Sequence, residues 1–172
     1  MIAHTANLDP VTLRSVRGLL DAAFGGLGEH DWEHCLGGMH VLVHSEGEVV
    51  GHGCVVQRRL LHRGQALRAG YVEGVAIRPD RQGRGHGRAV MAELERLIRG
   101  AYELGALSTT EQGAGFYAAC GWQLWRGPTS ALTPAGTERT PDDDGGVFVL
   151  PVTAALDLDG ELSCDYREGD LW

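Results

Sequence analysis

The segment from Arg78 to Gly87 has a composition suited to binding an anion. Three glycines alternate within it: Gly83, Gly85 and Gly87. Glycine lets successive backbone N–H groups turn toward one point, and an amphipathic helical pattern begins directly afterwards. The first turn of a helix adds unpaired N–H groups and the positive end of the helix dipole, so the segment predicts a pyrophosphate site.

The charge and spacing around these glycines narrow the kind of site. Three arginines would add positive charge at its rim: Arg81, Arg84 and Arg88. No Lys-Ser/Thr pair follows the last glycine, which excludes a nucleotide P-loop, and the spacing GxGxG differs from the dinucleotide fingerprint GxGxxG. A flexible glycine-rich turn without a ligand is the plainer alternative.

The elements that would position this loop follow from hydrophobic periodicity. We predict a first helix with Asp9 as its N-cap, Pro10 as its first residue and Gly25-Gly26 at its end. Further helices are predicted over 31–36, after Gly87 and near 113–119, and strands over 39–44, 49–61, 67–77 and 106–109. Further apolar runs cover 122–125 and 147–152, and residues 133–146 predict a loop. Glu46-Gly47 and Arg63-Gly64 predict hairpin turns. The length and pattern indicate a single α+β domain over residues 1–172.

Composition limits the partners and the compartment. The chain has 23 acidic and 15 basic residues, a net charge of −8, which argues against a nucleic-acid or membrane-surface protein and would favour a polycation. The same charge is also common for solubility alone. Four cysteines without a CxxC pair predict buried reduced thiols. We find no signal peptide and no membrane-spanning run, and therefore expect a cytoplasmic protein.

A family resemblance arises from the loop and its surroundings. Gln82-x-x-Gly85-x-Gly87 resembles the acyl-CoA pyrophosphate motif of the GNAT superfamily of N-acyltransferases, and Gly115 to Trp122 resembles that superfamily's helix bearing a tyrosine near the cofactor sulfur. Further motifs are similar to those of the aminoglycoside 2′-N-acetyltransferases: Asp31-Trp-Glu-His34, Leu36-Gly-Gly-Met-His40, Gln57-Arg-Arg-Leu60, Tyr71-Val-Glu-Gly-Val75, Gly127-Pro-Thr-Ser130, Thr140-Pro-Asp-Asp-Asp-Gly145 and Gly169-Asp-Leu-Trp172.

The resemblance implies a GNAT-type fold, with a central mixed, mostly antiparallel sheet flanked by helices. It also implies a homodimer that uses acetyl-CoA and no metal. The backbone of Val75 and Ile77 would pair with the pantetheine arm of acetyl-CoA. The loop residues would bind its phosphates: Gln82, Gly83, Arg84, Gly85, Gly87 and Arg88.

Two residues are candidates for acid–base chemistry. A protonated amine cannot attack a thioester, so a carboxylate must take its proton, and Glu73 lies in an otherwise apolar strand where a charge needs a task or a partner. Strand alternation leaves open that Glu73 faces solvent. Tyr117 is the candidate acid for the leaving thiolate, although it could be a core aromatic beside Phe116. Reference pKa values of about 10 and 8.5 make full proton transfer uphill by roughly 2 kcal/mol, so hydrogen bonding alone is as reasonable.

The resemblance also supplies an acceptor site for the 2′-amino group of an aminoglycoside. The residues that it implies are Asp31, Glu73, Gly74, Ser108, Asp143, Asp170 and Trp172, the last through its carboxylate. The loop over 25–30 is about one residue shorter than the family pattern and lacks an expected Asp, which Glu29 would have to replace.

Three alternatives remain at this point. His30 and His34 fit the H-x-x-E-H template of some zinc peptidases, but no third ligand is evident and surface histidines are the plainer interpretation. A non-catalytic acyl-CoA or drug-binding module could use the same fold. The same chemistry could also act on a cell-wall amino sugar or a peptide amine.

Overall fold

The computed structural model describes residues 1–172. Four α-helices are present: α1 Pro10–Phe24, α2 Glu29–His34, α3 His86–Ala101 and α4 Glu111–Ala119. The strands are β1 Ile2–His4, β2 Met39–Ser45, β3 Glu48–His62, β4 Gln65–Ile77, β5 Leu104–Ser108, β6 Gln123–Leu124, β7 Thr129–Thr133, β8 Gly136–Arg139, β9 Val147–Pro151 and β10 Leu162–Cys164. The chain is therefore of the α+β class, as predicted. No helix combines the length and apolar character needed to cross a membrane.

The residues divide into two compact units. Unit 1 comprises Met1–Val56 and Val72–Leu97, and unit 2 comprises Gln57–Tyr71 and Ile98–Trp172. The division falls within β3, β4 and α3, so each of these elements contributes residues to both units. The expectation of a single domain over 1–172 stays a prediction.

Helix α1 begins and ends where its sequence predicts. The Asp9 carboxylate accepts hydrogen bonds from the N–H groups of Val11 and Thr12 at 2.8 and 2.9 Å, and Pro10 occupies the first helical position. Gly25 ends the helix with φ of 72°. The buried face of α1 packs into an apolar cluster in unit 1 that contains Val16, Leu19, Leu20, Cys35, Leu42, Cys54 and Ala76.

In unit 1, β2 pairs antiparallel with β1 and with β3. Glu46 and Gly47 both have positive φ, 55° and 84°, between the paired residues Ser45 and Glu48. Two successive left-handed residues are typical of the type I′ hairpin turn, so this predicted turn is confirmed. On β3, a Cβ at Gly53 would lie 2.7 Å from Val90 Cγ1, and its absence lets α3 pack directly on the sheet.

In unit 2, the strand order is β6-β9-β5-β4-β3-β10-β7-β8, with parallel pairs at β4–β5 and β10–β7 and antiparallel pairs at β5–β9, β6–β9, β7–β8 and β10–β3. Arg63 and Gly64, with φ of 51° and 75°, form the predicted turn between β3 and β4. The largest fully buried side chain is Trp125, whose Nε1–H donates to Gly160 O at 3.0 Å.

Several boundaries differ from the predictions. Residues 133–146, predicted as a loop, contain β8 and a short 3₁₀ helix, Pro141–Asp143. All four residues of β8 are exposed, so the strand carries no hydrophobic alternation and only its pairing with β7 reveals it. Short strands β1, β7 and β10 were likewise not predicted, and α2 begins two residues earlier than expected.

Candidate active site

The predicted phosphate loop in unit 1 has the geometry of an anion cradle. Gly83 and Gly85 have φ of 72° and 84°, and an added Cβ at either would meet no atom within 4 Å. The backbone is therefore in the left-handed region that favours glycine, and open space lies in front of it. Helix α3 begins directly afterwards at His86, with Gly85 O accepting the N–H of Ala89 at 3.0 Å. These features fit a pyrophosphate at a helix N-terminus.

The arginines around this loop divide into two groups. Arg78 pairs with Glu48 and Asp80, each at 2.6 Å. Arg81 pairs with Glu46 at 2.9 Å, so the positive charge predicted for it at the rim is already compensated. Arg84 and Arg88 are exposed and form no ion pair, which leaves their charges available for an anion. Gln82 donates its side-chain amide to Ile77 O at 3.1 Å and so ties the loop to the end of β4.

Strand β4 is irregular at the predicted catalytic carboxylate. Gly74 has φ of 56°, and a Cβ there would lie 2.9 Å from Cys35 Sγ and 3.1 Å from Leu20 Cδ1. Both the conformation and the close packing therefore require glycine. Glu73, directly before it, is half-buried. On β3, a Cβ at Gly51 would lie 2.6 Å from Ile77 Cδ1 and one at Gly53 would lie 3.3 Å from Val75 Cγ2, so these glycines make room for the two predicted cofactor-binding residues.

Asp31 and its neighbours lie on the short helix α2. Asp31 is half-buried, and its backbone oxygen accepts the Cys35 thiol at 3.6 Å. Both Glu29 carboxylate oxygens accept from Arg17, at 2.9 and 3.1 Å, so Glu29 would have to leave Arg17 to take the place of the missing aspartate. The Arg17 guanidinium lowers the pKa of Glu29. The H-x-x-E-H template falls on this six-residue helix, where His30 lies 3.6 Å from Glu33.

In unit 2, Tyr117 lies in the last turn of α4 and is half-buried. Its ring meets Phe116 edge to face at 5.2 Å between centroids and lies 6.4 Å from Phe148. Its backbone oxygen accepts the N–H of Trp122 at 3.1 Å. These contacts fix the end of the helix and leave part of the tyrosine side chain accessible.

The three consecutive aspartates in unit 2 have different surroundings. The Asp144 carboxylate pairs with Arg139 at 2.7 Å and accepts from the backbone and hydroxyl of Thr129, which lowers the pKa of Asp144 to about 2. Burial raises the pKa of Asp143, a hydrogen bond from Thr140 partly offsets this, and the charges of Asp170, Asp142 and Asp144 raise it further. Asp144 therefore holds the turn together, whereas Asp143 lies close to a second predicted acceptor residue, Asp170.

Ser108 and the C-terminus belong to the same region of unit 2. Gly146 lies between Ser108 and Asp143: a Cβ added to it would be 3.4 Å from the Asp143 backbone oxygen and 3.6 Å from Ser108 Oγ. Ser108 and the backbone of Asp143 therefore lie close together. Trp172 is only 5% exposed, and its Nε1–H donates to Thr140 Oγ1 at 2.9 Å. Arg167 donates to Asp170 O at 2.6 Å. The structure thus brings together four predicted acceptor residues: Ser108, Asp143, Asp170 and Trp172.

Comparison with known proteins decides the family. The model of the acetyltransferase (GNAT) family matches residues 15–122, which include the phosphate loop, Glu73 and Tyr117. The chain belongs to this family. It is also 50% identical to a protein of Mycolicibacterium fortuitum named aminoglycoside 2′-N-acetyltransferase, in an alignment that covers 99% of this chain and 90% of that protein.

Solved structures agree with the acetyltransferase fold. A GNAT family N-acetyltransferase from Escherichia coli, solved in complex with CoA, has a TM-score of 0.64 at 17% identity over 98% of this chain and 89% of that one. The E. coli ribosomal-protein-S18-alanine N-acetyltransferase has a TM-score of 0.60 at 16% identity, covering 91% and 96% of the two chains. The predicted GNAT-type fold is confirmed.

Several residues that the sequence did not single out bond to predicted site residues or lie near them. Thr140 bonds Trp172 and Asp143, and the buried Arg58 bonds Asp165 near the C-terminus at 2.8 Å. The buried His52 bonds Gly74 O at 2.6 Å, and the buried His40 bonds His52 at 2.9 Å. The sequence signal for His40 and His52 is that each lies within an apolar strand pattern.

Proposed function

We propose that this acetyltransferase transfers the acetyl group of acetyl-CoA to the 2′-amino group of aminoglycoside antibiotics and so confers resistance. The identity of 50% over 99% of the chain to the M. fortuitum enzyme carries this proposal. The acidic residues of unit 2 support it independently. Burial and the nearby charge of Asp170 both disfavour ionised Asp143, and an ammonium group bound between these carboxylates would relieve the repulsion.

Acetyl-CoA would supply the thioester carbonyl that the amine attacks. The open left-handed glycines and the uncompensated Arg84 and Arg88 support binding of its pyrophosphate by the proposed set, Gln82, Gly83, Arg84, Gly85, Gly87 and Arg88. A backbone N–H of Val75 or Ile77 would polarise the carbonyl.

Glu73 would take the proton of the attacking amine, through a water molecule. Glu73 is a half-buried residue within the otherwise apolar stretch 69–77 of β4 and lies directly before the left-handed Gly74, and both observations support this role. Tyr117 would donate to the leaving thiolate, by a hydrogen bond or by full proton transfer. The partial exposure of its side chain at the end of α4 supports access to a ligand.

The acceptor site would consist of Asp31, Glu73, Gly74, Ser108, Asp143, Asp170 and the Trp172 carboxylate. A site rich in carboxylates suits a polycation, and no metal, nucleic acid or membrane has a part in the reaction proposed. The homodimer and the cytoplasmic location implied by the sequence belong to the same proposal. A sedimentation experiment that returns a monomer would refute the dimer, and activity that EDTA abolishes would refute the metal-free reaction.

Kanamycin B and kanamycin A test the acceptor directly. Kanamycin B has an amine at the 2′ position where kanamycin A has a hydroxyl, so we expect release of the CoA thiol with kanamycin B and far less with kanamycin A. Equal rates would refute 2′ selectivity. Binding without thiol release would indicate the non-catalytic module instead, and faster turnover of a cell-wall amino sugar would indicate a different natural acceptor.

A further inference from the structure

Two fully buried histidines lie side by side in unit 1. His40 on β2 and His52 on β3 each have an exposed fraction of 0%, and His40 Nδ1 lies 2.9 Å from His52 Nε2. A buried imidazole is costly unless each ring nitrogen has a hydrogen-bond partner. The outer nitrogens have such partners: His52 Nδ1 lies 2.6 Å from Gly74 O, and His40 Nε2 lies 2.8 Å from Thr5 Oγ1.

The last acceptor determines every tautomer in this chain of hydrogen bonds. Gly74 O can only accept, so His52 Nδ1 carries a proton. Burial lowers the pKa of His52 to about 3 and that of His40 to about 4, so both rings are neutral at pH 7. The bare His52 Nε2 then accepts from His40 Nδ1–H, and the bare His40 Nε2 accepts from the Thr5 hydroxyl.

Thr5 lies at the other end of this series of hydrogen bonds, next to His40. Its hydroxyl oxygen accepts the N–H of Gly37 at 2.9 Å. Its single proton goes to the bare His40 Nε2 at 2.8 Å rather than to Gly38 O, a second possible acceptor that lies farther away at 3.3 Å. All the donors therefore point one way, from Gly37 through Thr5, His40 and His52 to the carbonyl of Gly74. Because every group is satisfied, His52 is held in one orientation and one tautomer.

The inner end of the chain holds the irregular part of β4. His52 donates to Gly74 O, and the Cys54 thiol donates to Glu73 O at 3.5 Å. His52 and Cys54 lie two residues apart on β3 and so face the same side, whereas successive carbonyls of a regular strand point to opposite edges. The left-handed Gly74 therefore brings two successive carbonyls to side chains on one face. The backbone carbonyls of Glu73 and Gly74 are therefore held by buried side chains of β3.

We propose that His52, oriented by His40 and Thr5, is a positioning residue that holds the Glu73–Gly74 segment and thereby aims the Glu73 carboxylate at the amine. This inference rests on the proposed role of Glu73 as the base. His52 acts through the Gly74 carbonyl and has no contact with the reacting atoms in this role. A displacement of about 1 Å in a catalytic group can cost on the order of a hundredfold in rate. Loss of the His52–Gly74 hydrogen bond should therefore slow the reaction.

A metal site is the competing interpretation of the same residues. One ligand atom each from His40, His52 and Cys54 lie within 4.8 Å of one another. However, the facing histidine nitrogens are already bonded to each other, and the outer two are bonded to Gly74 O and Thr5. A bound metal would have to replace these bonds. Elemental analysis of the purified protein distinguishes the metal site from the series of hydrogen bonds, because stoichiometric zinc would contradict the latter.

The direct test is the protonation of the two rings in the wild-type protein. Long-range ¹H–¹⁵N NMR spectra of the histidine rings should show both His40 and His52 as the Nδ1–H tautomer at pH 7. The Nε2–H tautomer in either ring would contradict the series of hydrogen bonds from Gly37 to Gly74. This measurement needs no variant and does not depend on the role of Glu73.

The kinetic test uses a matched pair of variants. In His52→Asn the amide nitrogen takes roughly the place of Nδ1 and can still donate to Gly74 O, whereas His52→Leu cannot donate. We expect His52→Leu to lower kcat about 10- to 100-fold with the KM for acetyl-CoA changed less than about threefold. His52→Asn should recover most of kcat. Equal losses in the two variants, or full kcat in a folded His52→Leu protein, would overturn the proposal.

A double-mutant cycle separates the failure of this inference from failure of the proposed function. If His52 acts through Glu73, His52→Leu should cause little further loss of kcat in a Glu73→Gln background. The same loss in both backgrounds would overturn the positioning role. If Glu73→Gln alone keeps wild-type activity, the proposed base is wrong, whereas the NMR result still decides the tautomers.

Discussion

The indole of Trp172 donates a hydrogen bond to the hydroxyl of Thr140 across 2.9 Å, with both side chains buried. This bond joins the last residue of the chain to the residue that precedes the Pro141–Asp143 turn. The Thr140 backbone oxygen also accepts the N–H of Asp143 at 3.0 Å, so Thr140 bonds two of the proposed acceptor residues. The Thr140 hydroxyl thus holds the indole of the residue whose carboxylate is proposed to bind the acceptor.

Removing that hydroxyl should weaken binding of the acceptor more than binding of the cofactor. Thr140→Val leaves a buried indole N–H without its partner, which costs about 1–3 kcal/mol. We expect the KM for kanamycin B to rise about fivefold and the KM for acetyl-CoA to stay within twofold. Thr140→Ser keeps the hydroxyl and serves as the matched control. A Thr140→Ser protein as impaired as Thr140→Val would show that the methyl group matters instead.

Asp143→Asn should raise the KM for kanamycin B at least tenfold and leave the KM for acetyl-CoA nearly unchanged. It should also raise the melting temperature slightly at pH 7, because burial and nearby carboxylates raise the pKa of Asp143 and its charge therefore opposes folding. Exposed Asp142 provides the control substitution, Asp142→Asn. Equal changes in both KM values would contradict the assignment.

Asp144 should behave differently from its neighbour. Asp144→Ala removes the pairing with Arg139 and the bonds from Thr129, so we expect a loss of about 1 kcal/mol in stability, or 2–4 °C in melting temperature. Thermal denaturation monitored by circular dichroism measures this. An unchanged melting temperature would mean that the turn does not need Asp144.

Glu73→Gln should lower kcat/KM by about 10²–10⁴-fold. The loss should be largest at low pH, where more of the acceptor amine is protonated and a base is needed most. The measurement is kcat/KM for kanamycin B between pH 6 and 9. The same fractional loss at every pH would argue against a base.

Tyr117→Phe should reduce kcat by about 10²-fold and leave acetyl-CoA binding nearly intact. The substitution keeps the ring that packs on Phe116 and Phe148 and removes only the hydroxyl. Isothermal titration with CoA together with steady-state kinetics separates the two effects. A collapse of CoA affinity would assign Tyr117 a structural role.

Acid should destabilise the fold through the two buried histidines. The pKa of each ring is lower in the folded protein than the usual 6.5, so the unfolded chain binds protons first as the pH falls. The stability linked to these rings is complete above pH 6.5 and is lost toward pH 4, by roughly 2 kcal/mol per ring at pH 5. His4 and Cys54 are the titratable neighbours of the pair. Urea unfolding at pH 7 and pH 5 should show a smaller difference for His52→Asn than for wild type.

The sequence by itself determined the features that depend on near neighbours in the chain. Asp9-Pro10 starts α1, Glu46-Gly47 makes a type I′ turn, and Gly83 and Gly85 adopt left-handed conformations before α3. Each of these features needs only a few successive residues, because a cap or a turn is completed by backbone groups within about four positions. The family resemblance followed from motifs of the same short range.

The family resemblance singled out Asp143, but only the tertiary structure showed that Arg139 and Thr129 bond Asp144 and that the charge of Asp170 acts on Asp143. The same is true of His52, whose partner Gly74 lies 22 positions away. Strand alternation could not assign Glu73 to a face because the left-handed Gly74 interrupts the regular pleat. The local pattern of a sequence specifies backbone conformation, but hydrogen-bond partners far apart in the chain become neighbours only when the strands pair and pack.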